Sequence, residues 1–269
     1  MGNEFFNRHQ LVIQMEFVMY IISVSYGNDS IALIQWARDK ALQNVHIVYC
    51  DTGWAHSSWA GRIDAGETLA YVYGFDVHHI KGDFDFESMV RMKKGFPSQR
   101  YQFCSGILKG LPFLEWCEEN DPDKKAVVVI GKRREESQAR KDTPLFIFNS
   151  DFHGGRLVYH PLYKHTDSQR NELMLKTGVR VLPHRSMECC PCVNANRKDL
   201  LMVEPDRIEQ IKQLEKDIDN YMFRAKKKMG ATGINEVLLW ARSARGKYIK
   251  GQQFLFDLAG NACGTGMCG

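Results

Sequence analysis

Short runs of apolar and β-branched residues recur along the first 130 positions of the chain, and segments with helical spacing separate them. The runs lie at 21–24, 45–50, 75–80 and 126–130. The last of them, Ala-Val-Val-Val-Ile, has no polar position, which is typical of a strand buried on both faces of a parallel sheet. Helical spacing follows at about 30–41 and 57–74. The pattern therefore predicts βαβ units.

The pattern changes after position 140. A hairpin is predicted at 144–159 around a Gly-Gly pair. The stretch Thr166-Asp167-Ser168-Gln169-Arg170 reads as a capped helix start, with the helix at about 168–177. A charged amphipathic helix is predicted at 204–228. We divide the chain into a polar lead-in (1–15), a main α/β domain (16–185) and a cysteine-rich helical region with a glycine-rich tail (186–269).

The composition is that of a globular protein with a sizeable core. The chain has 269 residues, of which 44% are hydrophobic and 25% charged, and its net charge is +4. This mildly basic balance permits an anionic substrate or a nucleic-acid partner without requiring either. The longest apolar run, 17–24, is too short to span a bilayer, and no secretion leader precedes it. We therefore expect a cytoplasmic protein without a membrane segment.

The loop between the first predicted strand and helix is the first candidate for chemistry. Ser25-Tyr26-Gly27-Asn28-Asp29-Ser30 is small and polar, and it leads directly into a helix. Backbone N–H groups and a helix N-terminus at one spot favour a phosphate group. The loop is neither a Walker motif nor a dinucleotide fingerprint. The alternative is an ordinary turn with an Asx or Ser cap.

Two more strand ends carry polar residues. Asp51-Thr52-Gly53 follows the second strand, where a carboxylate commonly meets a ribose or a metal. Asp51 could instead cap the helix at 57–74. Gly131-Lys132-Arg133-Arg134 follows the strand at 126–130, and three cations after a glycine suit a polyphosphate. The alternative is that the three cations form a solvated, charged surface. Lys109, about one turn after Cys104, could also reach a phosphate.

Eight cysteines without a leader argue for a reducing compartment, and for metal binding or catalysis rather than disulfides. Cys50 and Cys117 lie in apolar or helical contexts and are predicted to be core thiols. Cys189-x-x-Cys192 precedes a predicted helix, the spacing of half a zinc or iron–sulfur site. Cys104 lies at a predicted helix start, where a thiol pKa is lowered.

The predicted metal ligands are Cys104, Cys189, Cys192 and one tail cysteine, Cys268, with Cys263 in reserve. Four thiolates suit one [4Fe–4S] cluster, and zinc accepts the same set. The alternative is free thiols and a mobile tail.

Four separated stretches, taken together and in order, resemble the phosphoadenosine phosphosulfate (PAPS) reductase family within the adenine nucleotide α-hydrolases. They are the loop at 25–30, the segments 49–53 and 131–137, and His160-Pro161-Leu162 followed by Cys189-x-Pro191-Cys192. Tyr26 stands where the family's pyrophosphate loop usually has its first glycine. The resemblance covers roughly 17–200 and implies a parallel twisted sheet with helices on both faces, a Rossmann-like α/β fold, with a cysteine-rich helical appendage. It also implies ATP at the carboxyl edge of the sheet, and Mg²⁺.

The resemblance assigns roles to residues of this sequence. Asp29 or Asp51 would carry Mg²⁺, and Asp29, Ser30, Lys109, Arg133 and Arg134 would be catalytic. ATP would be cut between its α and β phosphates, which adenylates an acceptor oxygen. The implied nucleotide-binding residues are Ser23, Ser25, Tyr26, Gly27, Asn28, Asp29, Ser30, Asp51, Thr52, Gly53, Gly131, Lys132, Arg133 and Arg134.

The C-terminal residues help to decide which reaction of the family the resemblance implies. PAPS reductases carry a Glu-Cys-Gly-Leu-His tail, whereas this chain ends in Ala-Cys-Gly-Thr-Gly-Met-Cys-Gly. Cysteine-rich relatives include the DNA phosphorothioation proteins DndC and SspD, so we expect an ATP pyrophosphatase that supplies adenylated DNA for sulfur transfer. The implied partners are DNA and a cysteine desulfurase or another sulfur donor, and a homo-oligomer is possible. The alternatives are a PAPS or adenylyl-sulfate reductase and a non-catalytic, metal-stabilised nucleic-acid-binding module.

Overall fold

A computed structural model describes residues 18–224 and 230–243. The predicted lead-in at 1–15 and the tail with Cys263 and Cys268 lie outside these residues. The described residues form two compact units: the first comprises those up to Asp85 and Ser105–Cys189, and the second comprises Phe86–Cys104 and those from Cys190 onward. The sequence-based division at 185/186 did not anticipate that 86–104 joins the second unit.

Six strands and nine α-helices are present in the described part of the chain. The strands are β1 (Tyr20–Val24), β2 (Val45–Asp51), β3 (Asp76–Lys81), β4 (Val127–Ile130), β5 (Phe146–Ser150) and β6 (Arg156–Tyr159). The helices are α1 (Asn28–Asp39), α2 (Trp59–Val72), α3 (Phe86–Lys93), α4 (Phe103–Ser105), α5 (Leu111–Asn120), α6 (Asp167–Leu175), α7 (Arg197–Leu200), α8 (Pro205–Asp217) and α9 (Gly233–Arg242). A π-helical segment, Gly106–Gly110, joins α4 to α5, and short 3₁₀ turns occur at Gln138–Arg140 and Asp151–His153.

The strands of the first unit form one sheet in the order β3-β2-β1-β4-β6-β5. All neighbouring pairs are parallel except β5 and β6, which form the predicted antiparallel hairpin at one edge. The predicted mostly parallel α/β sheet is therefore confirmed. The strand order reverses between β1 and β4, and such a reversal opens a crevice at the carboxyl ends of the strands where ligands bind in this class of fold.

Alternation along the strands buries both faces of the sheet. Ile22 and Val129, which are register partners, belong to a core with residues of α1, α2 and α6. Ile21 and Val128 face the other way and pack with Phe113, Trp116 and Cys117 of α5. The prediction of helices on both faces is confirmed, as is the prediction that Cys50 and Cys117 are buried.

The second unit corrects one predicted helix. The helix expected at 204–228 ends at Asp217, and Asp219 takes a positive φ of 47°. The buried Glu215 carboxylate accepts hydrogen bonds from the backbone N–H groups of Met222 at 3.0 Å and Ile234 at 3.1 Å. These contacts hold the chain in a turn that leads to α9, a helix that the sequence pattern did not predict. The last predicted positions, 225–228, lie outside the described residues.

No helix among the described residues combines the length and the apolar character that crossing a bilayer would require.

Candidate functional site

The loop after β1 presents an open helix N-terminus. Ser30 Oγ accepts a hydrogen bond from Ser25 N at 3.0 Å and lies 3.3 Å from Ser25 Oγ, and Gly27 N donates to Ser25 Oγ at 3.4 Å. Gly27 is the N-cap residue of α1, and as a glycine it has no side chain that could cap the helix. Neither an Asx nor a Ser residue occupies the N-cap position itself, although serine side chains bond backbone N–H groups within the turn. The unsatisfied N–H groups of the first turn favour an anion.

Tyr26 occupies the loop position at which the resemblance leads us to expect a glycine. Its φ of 54° is in the left-handed region, where glycine is favoured. The ring leaves the loop and is completely buried, with its centroid 5.3 Å from that of Tyr49. A Cβ on Gly66 of α2 would lie 2.2 Å from the Tyr26 ring, so the missing side chain at Gly66 makes room for it. Tyr26 can thus offer a nucleotide its backbone but not its side chain.

A second segment clamps the loop from the side. Asn28 Nδ2 donates to Leu182 O at 2.8 Å, and Leu182 N donates back to Asn28 Oδ1 at 3.0 Å. The buried Arg62 donates to Tyr26 O at 2.9 Å and to Arg180 O at 2.7 Å. Asn28, predicted to bind nucleotide, is thus held by protein backbone. Neither Arg62 nor the 180–182 segment was predicted, because no local motif marks residues that pair so far along the chain.

The loop and β4 meet at the point where the strand order reverses. A Cβ on Gly131 would lie 3.0 Å from the backbone oxygen of Asp29. Glycine at this position therefore allows the two strand ends to approach closely, as the sequence suggested for a ligand. The cations that follow Gly131 consequently begin beside the N-terminus of α1.

Arg133 is held in a buried ion-pair network. Its Nε donates to Asp29 Oδ1 at 2.7 Å, its Nη2 to Asp167 Oδ1 at 2.8 Å and its Nη1 to His165 O at 3.2 Å. Arg170 Nη1 lies 3.5 Å from Asp29 Oδ1 and 3.1 Å from Asp167 Oδ1. The Arg133 side chain is only 2% exposed. Its guanidinium is thus engaged by protein groups, whereas the sequence analysis assigned it to phosphate.

Asp167 and Arg170 were recognised from sequence only as part of a helix start. The predicted capped helix start is confirmed: Thr166 is the N-cap residue, and it forms a capping box with Gln169. That cap places Asp167 and Arg170 at the beginning of α6, from where Asp167 pairs with Arg133 and Arg170 pairs with Asp29. The capping signal was visible in the sequence, but the role of the first turn of α6 was not.

Further cations lie near the network, of which Arg140 is ion-paired with Glu136. Burial lowers the pKa of Arg140, and repulsion from Arg185 and Arg133 lowers it further, against an opposing effect of Asp29. Burial and the charge of Arg140 also lower the pKa of Lys132. Repulsion among like charges in a partly buried place is relieved by a bound anion. This crevice therefore suits a polyphosphate.

Arg134 lies on the outside of this crevice. Its Nε donates to Thr143 O at 2.8 Å, and its guanidinium carbon lies 4.9 Å from the centre of the Tyr163 ring. The side chain is exposed. Of the three adjacent cations, Arg133 is buried, Arg134 is exposed, and Lys132 alone is half-buried without an ion pair in the described part of the chain.

The end of β2 lies beside the loop. Asp51 Oδ1 accepts from Gly53 N at 2.9 Å, and the buried Thr52 donates to Glu188 O at 2.9 Å. Helix α2 begins at Trp59 with Ser58 as its N-cap residue, so the alternative that Asp51 caps it is wrong. Since no ion pair engages Asp51 among the described residues, its carboxylate fits a magnesium ligand better than that of Asp29.

Lys109 is held by an ion pair, with its Nζ 2.5 Å from Glu188 Oε1. Cys50 donates its thiol hydrogen to Lys109 O at 3.5 Å. Ser23 is a half-buried residue within β1, before the loop.

The predicted metal ligands are distributed over both units and the tail. Cys104 and Cys192 are partly exposed and belong to the second unit, whereas Cys189 belongs to the first. Cys190 is buried, and burial raises the pKa of its thiol to about 11. No group of three or more potential metal-ligating side chains is found among the described residues, and Cys268 lies outside them. The described cysteines alone do not make up a cluster site, so the cluster remains a prediction.

Solved structures resemble the chain only in outline. A phosphate complex of PAPS reductase from Candida auris is 15% identical, with a TM-score of 0.43, and the match covers 62% of this chain and 76% of that one. For the U34-tRNA thiolase NcsA of Methanococcus maripaludis, solved with its [4Fe–4S] cluster, the identity is 13%, the TM-score 0.44 and the coverage 81% and 76%. NMN synthetase of Francisella tularensis is 13% identical, with a TM-score of 0.44, and the match covers 86% of this chain and 87% of that one. Likeness at this level says nothing about the substrate of this chain.

Sequence comparison, unlike comparison with solved structures, shows to which family the chain belongs. A curated relative, an uncharacterized 37.8 kDa protein encoded in the gpa 5′ region of Escherichia phage 186, is 26% identical over 147 residues. The match covers 49% of this chain and 42% of the relative, so the chain spans less than half the length of that protein. The model of the phosphoadenosine phosphosulfate reductase domain matches residues 19–193, well over half of the chain and all of the crevice described above. The chain therefore belongs to the phosphoadenosine phosphosulfate reductase domain family.

Proposed function

We propose that the protein is an ATP pyrophosphatase that adenylates an acceptor for sulfur transfer, and that the acceptor is the DNA backbone. One observation carries the proposal: the uncapped N-terminus of α1 opens beside a cluster of cations, at the reversal point of the strand order. A pyrophosphate group matches both the amide donors and the positive charge of this crevice.

Each side chain of the crevice then has a defined task. Ser25, Ser30 and the loop amides hold the β and γ phosphates, while Lys132 and Arg140 neutralise charge that develops on the departing pyrophosphate. Arg133 is a positioning residue, because it fixes Asp29 at the start of α1. Asp51 would hold Mg²⁺, which supplies Lewis-acid polarisation of phosphate oxygens.

The proposed reaction is a substitution at the α phosphorus. An acceptor oxygen forms a bond to this phosphorus, the bond to the bridging oxygen breaks, and pyrophosphate leaves. The acceptor then carries AMP as a leaving group. The terminal sulfur of a persulfide on a partner such as a cysteine desulfurase displaces this AMP, and a thiol then reduces the remaining S–S bond to release the phosphorothioate. ATP is converted to AMP and pyrophosphate, in contrast to a kinase, where the γ-phosphoryl group moves.

The test is pyrophosphate release from ATP by the purified protein, with lysine variants at the two ends of β4. Lys132 follows the strand at its carboxyl end, whereas the exposed Lys125 precedes it and pairs with Asp123 at 2.8 Å. Lys132→Ala should lower kcat/KM about 10- to 100-fold, the value of one charge-assisted hydrogen bond. The control, Lys125→Ala, should keep the parent activity. Equal activities of the two variants would remove the crevice as the site.

The DNA part of the proposal has a separate readout. Incubation with DNA, ATP and a sulfur donor, followed by nuclease digestion and mass spectrometry, should reveal phosphorothioate linkages that require Lys132. Pyrophosphate release without such linkages would leave the ATP chemistry standing and reject DNA as the acceptor.

The family match favours a second candidate, a PAPS or adenylyl-sulfate reductase. It predicts sulfite release from PAPS or adenylyl sulfate with thioredoxin, and no pyrophosphate from ATP. Absence of both activities would favour the non-catalytic nucleic-acid-binding module.

A further inference from the structure

The second unit contains a cavity of about 420 Å³ that the proposed chemistry does not use. Its walls are largely apolar and include Pro97, Leu200, Phe223 and Trp240. This volume falls within the range that accommodates small planar ligands, and aromatic walls favour a ligand with a π face. The cavity is therefore suited to an aromatic ring.

Two guanidinium groups line the same cavity, those of Arg100 and Arg224. Both side chains are exposed. Arg100 has no ion pair within the described residues, and Arg224 donates to Asn220 Oδ1 at 3.3 Å. The described lining includes no carboxylate. An aromatic ligand that fits this cavity should therefore carry negative charge, as a nucleotide does.

The loop that carries Arg100 is held in place. Ser98 and Tyr101 exchange backbone hydrogen bonds of 3.0 and 3.1 Å, and Gln102 Nε2 donates to Gln99 O at 3.0 Å. Tyr101, next to Arg100, is 75% exposed. A fixed loop that combines a cation with an exposed aromatic ring is typical of surfaces that bind single-stranded nucleic acid.

We propose that this cavity receives one unstacked base of single-stranded DNA, with Arg100 and Arg224 neutralising the neighbouring phosphates. The base would stack against Trp240 or Phe223, which tolerates any sequence because every base has a π face. The inference rests on the proposed function only for the choice of DNA as the nucleic acid. It gives the second unit the task of holding the acceptor strand.

The experiment measures fluorescence anisotropy of a labelled DNA strand of about twelve nucleotides, the length scale of single-strand binding sites, without ATP. The strand should bind more tightly than its duplex, and replacing its bases by abasic positions should weaken binding. Arg100→Ala combined with Arg224→Ala should raise the dissociation constant about 10-fold or more, since two phosphate contacts are lost. The matched control is Lys93→Ala combined with Lys216→Ala, two exposed cations of the same unit that do not line the cavity. Melting temperatures of both pairs should match the parent.

Each other outcome counts against the proposal. Equal binding of single strand and duplex, or of intact and abasic strands, would overturn the base pocket, as would equal effects of the two variant pairs. Tighter binding of an RNA strand of the same sequence would overturn DNA as the occupant. Pyrophosphate release measured on the same preparations separates the proposals. If the protein binds DNA but releases no pyrophosphate, the proposed function alone is rejected. If it releases pyrophosphate but does not bind DNA, the base pocket alone is rejected.

Discussion

The buried guanidinium of Arg133 allows a quantitative prediction. Arg133→Ala removes the hydrogen bonds to Asp29, Asp167 and the His165 carbonyl. The Asp167 side chain is 65% exposed and regains water, so its bond contributes about 0–1 kcal/mol. Asp29 is 21% exposed, and among the described residues it would keep only the ion pair with Arg170 at 3.5 Å, so the loss there is about 1.5–3 kcal/mol. With the carbonyl bond, we expect the free energy of unfolding to fall by about 3 kcal/mol.

Urea unfolding measures this change, and the adjacent arginine provides the control. Arg134→Ala removes an exposed side chain that contacts Thr143 O and the Tyr163 ring, so it should cost about 0.5–1 kcal/mol. The slope against urea should stay the same in both variants. Arg133→Lys keeps the charge but has no planar fork to bridge two carboxylates, and it should fall between the parent and Arg133→Ala.

The sequence first suggested that Arg133 binds phosphate directly, and this role predicts a result that would refute the stability argument. If Arg133 binds phosphate directly, Arg133→Ala weakens ATP binding while its unfolding midpoint matches those of the parent and Arg134→Ala. That outcome would show that the network with Asp29 does not contribute to stability.

Three further predictions follow from other contacts. Gly66→Ala should destabilise the protein by about 1–3 kcal/mol, because the new Cβ overlaps the Tyr26 ring, and thermal melting measures it. Burial lowers the pKa of both His46 and His78, so the unfolded state binds more protons than the folded state below about pH 6.5. The free energy of unfolding, measured with urea, should therefore fall as the pH drops from about 7.5 towards 5.5. If the predicted cluster exists, anaerobically purified protein should absorb near ~400 nm and contain iron and sulfide that Cys192→Ser loses.

Each of these predictions has its own control. Gly61→Ala alters the same helix where an added Cβ meets nothing within 4 Å, and it should be neutral or stabilising. His78→Gln should reduce the loss of stability in acid, and an unchanged pH profile would exclude the histidine pair as a source. Cys117→Ser alters a buried thiol outside the predicted ligand set. Metal-free protein that keeps its activity would reject the cluster.

The sequence determined the elements that depend on local patterns. The apolar run at 126–130 contains β4, and the cap at Thr166 starts α6 at the next residue. The polar stretch after β1 also marked the loop with its open helix N-terminus. These features were predictable because backbone hydrogen bonding, periodicity and capping involve residues a few positions apart.

Only the tertiary structure decided which side chains those elements bury and which they present. Arg133 and Arg134 are adjacent and chemically identical, yet Arg133 is buried and Arg134 is exposed. Arg133 is buried with carboxylates that are distant in the sequence, Asp29 at 104 positions and Asp167 at 34 positions. Tyr26 tolerates a glycine-like backbone because Gly66 leaves room for its ring. Buried charges and rings are stabilised only by partners that the fold brings together, so a local pattern cannot identify them in advance.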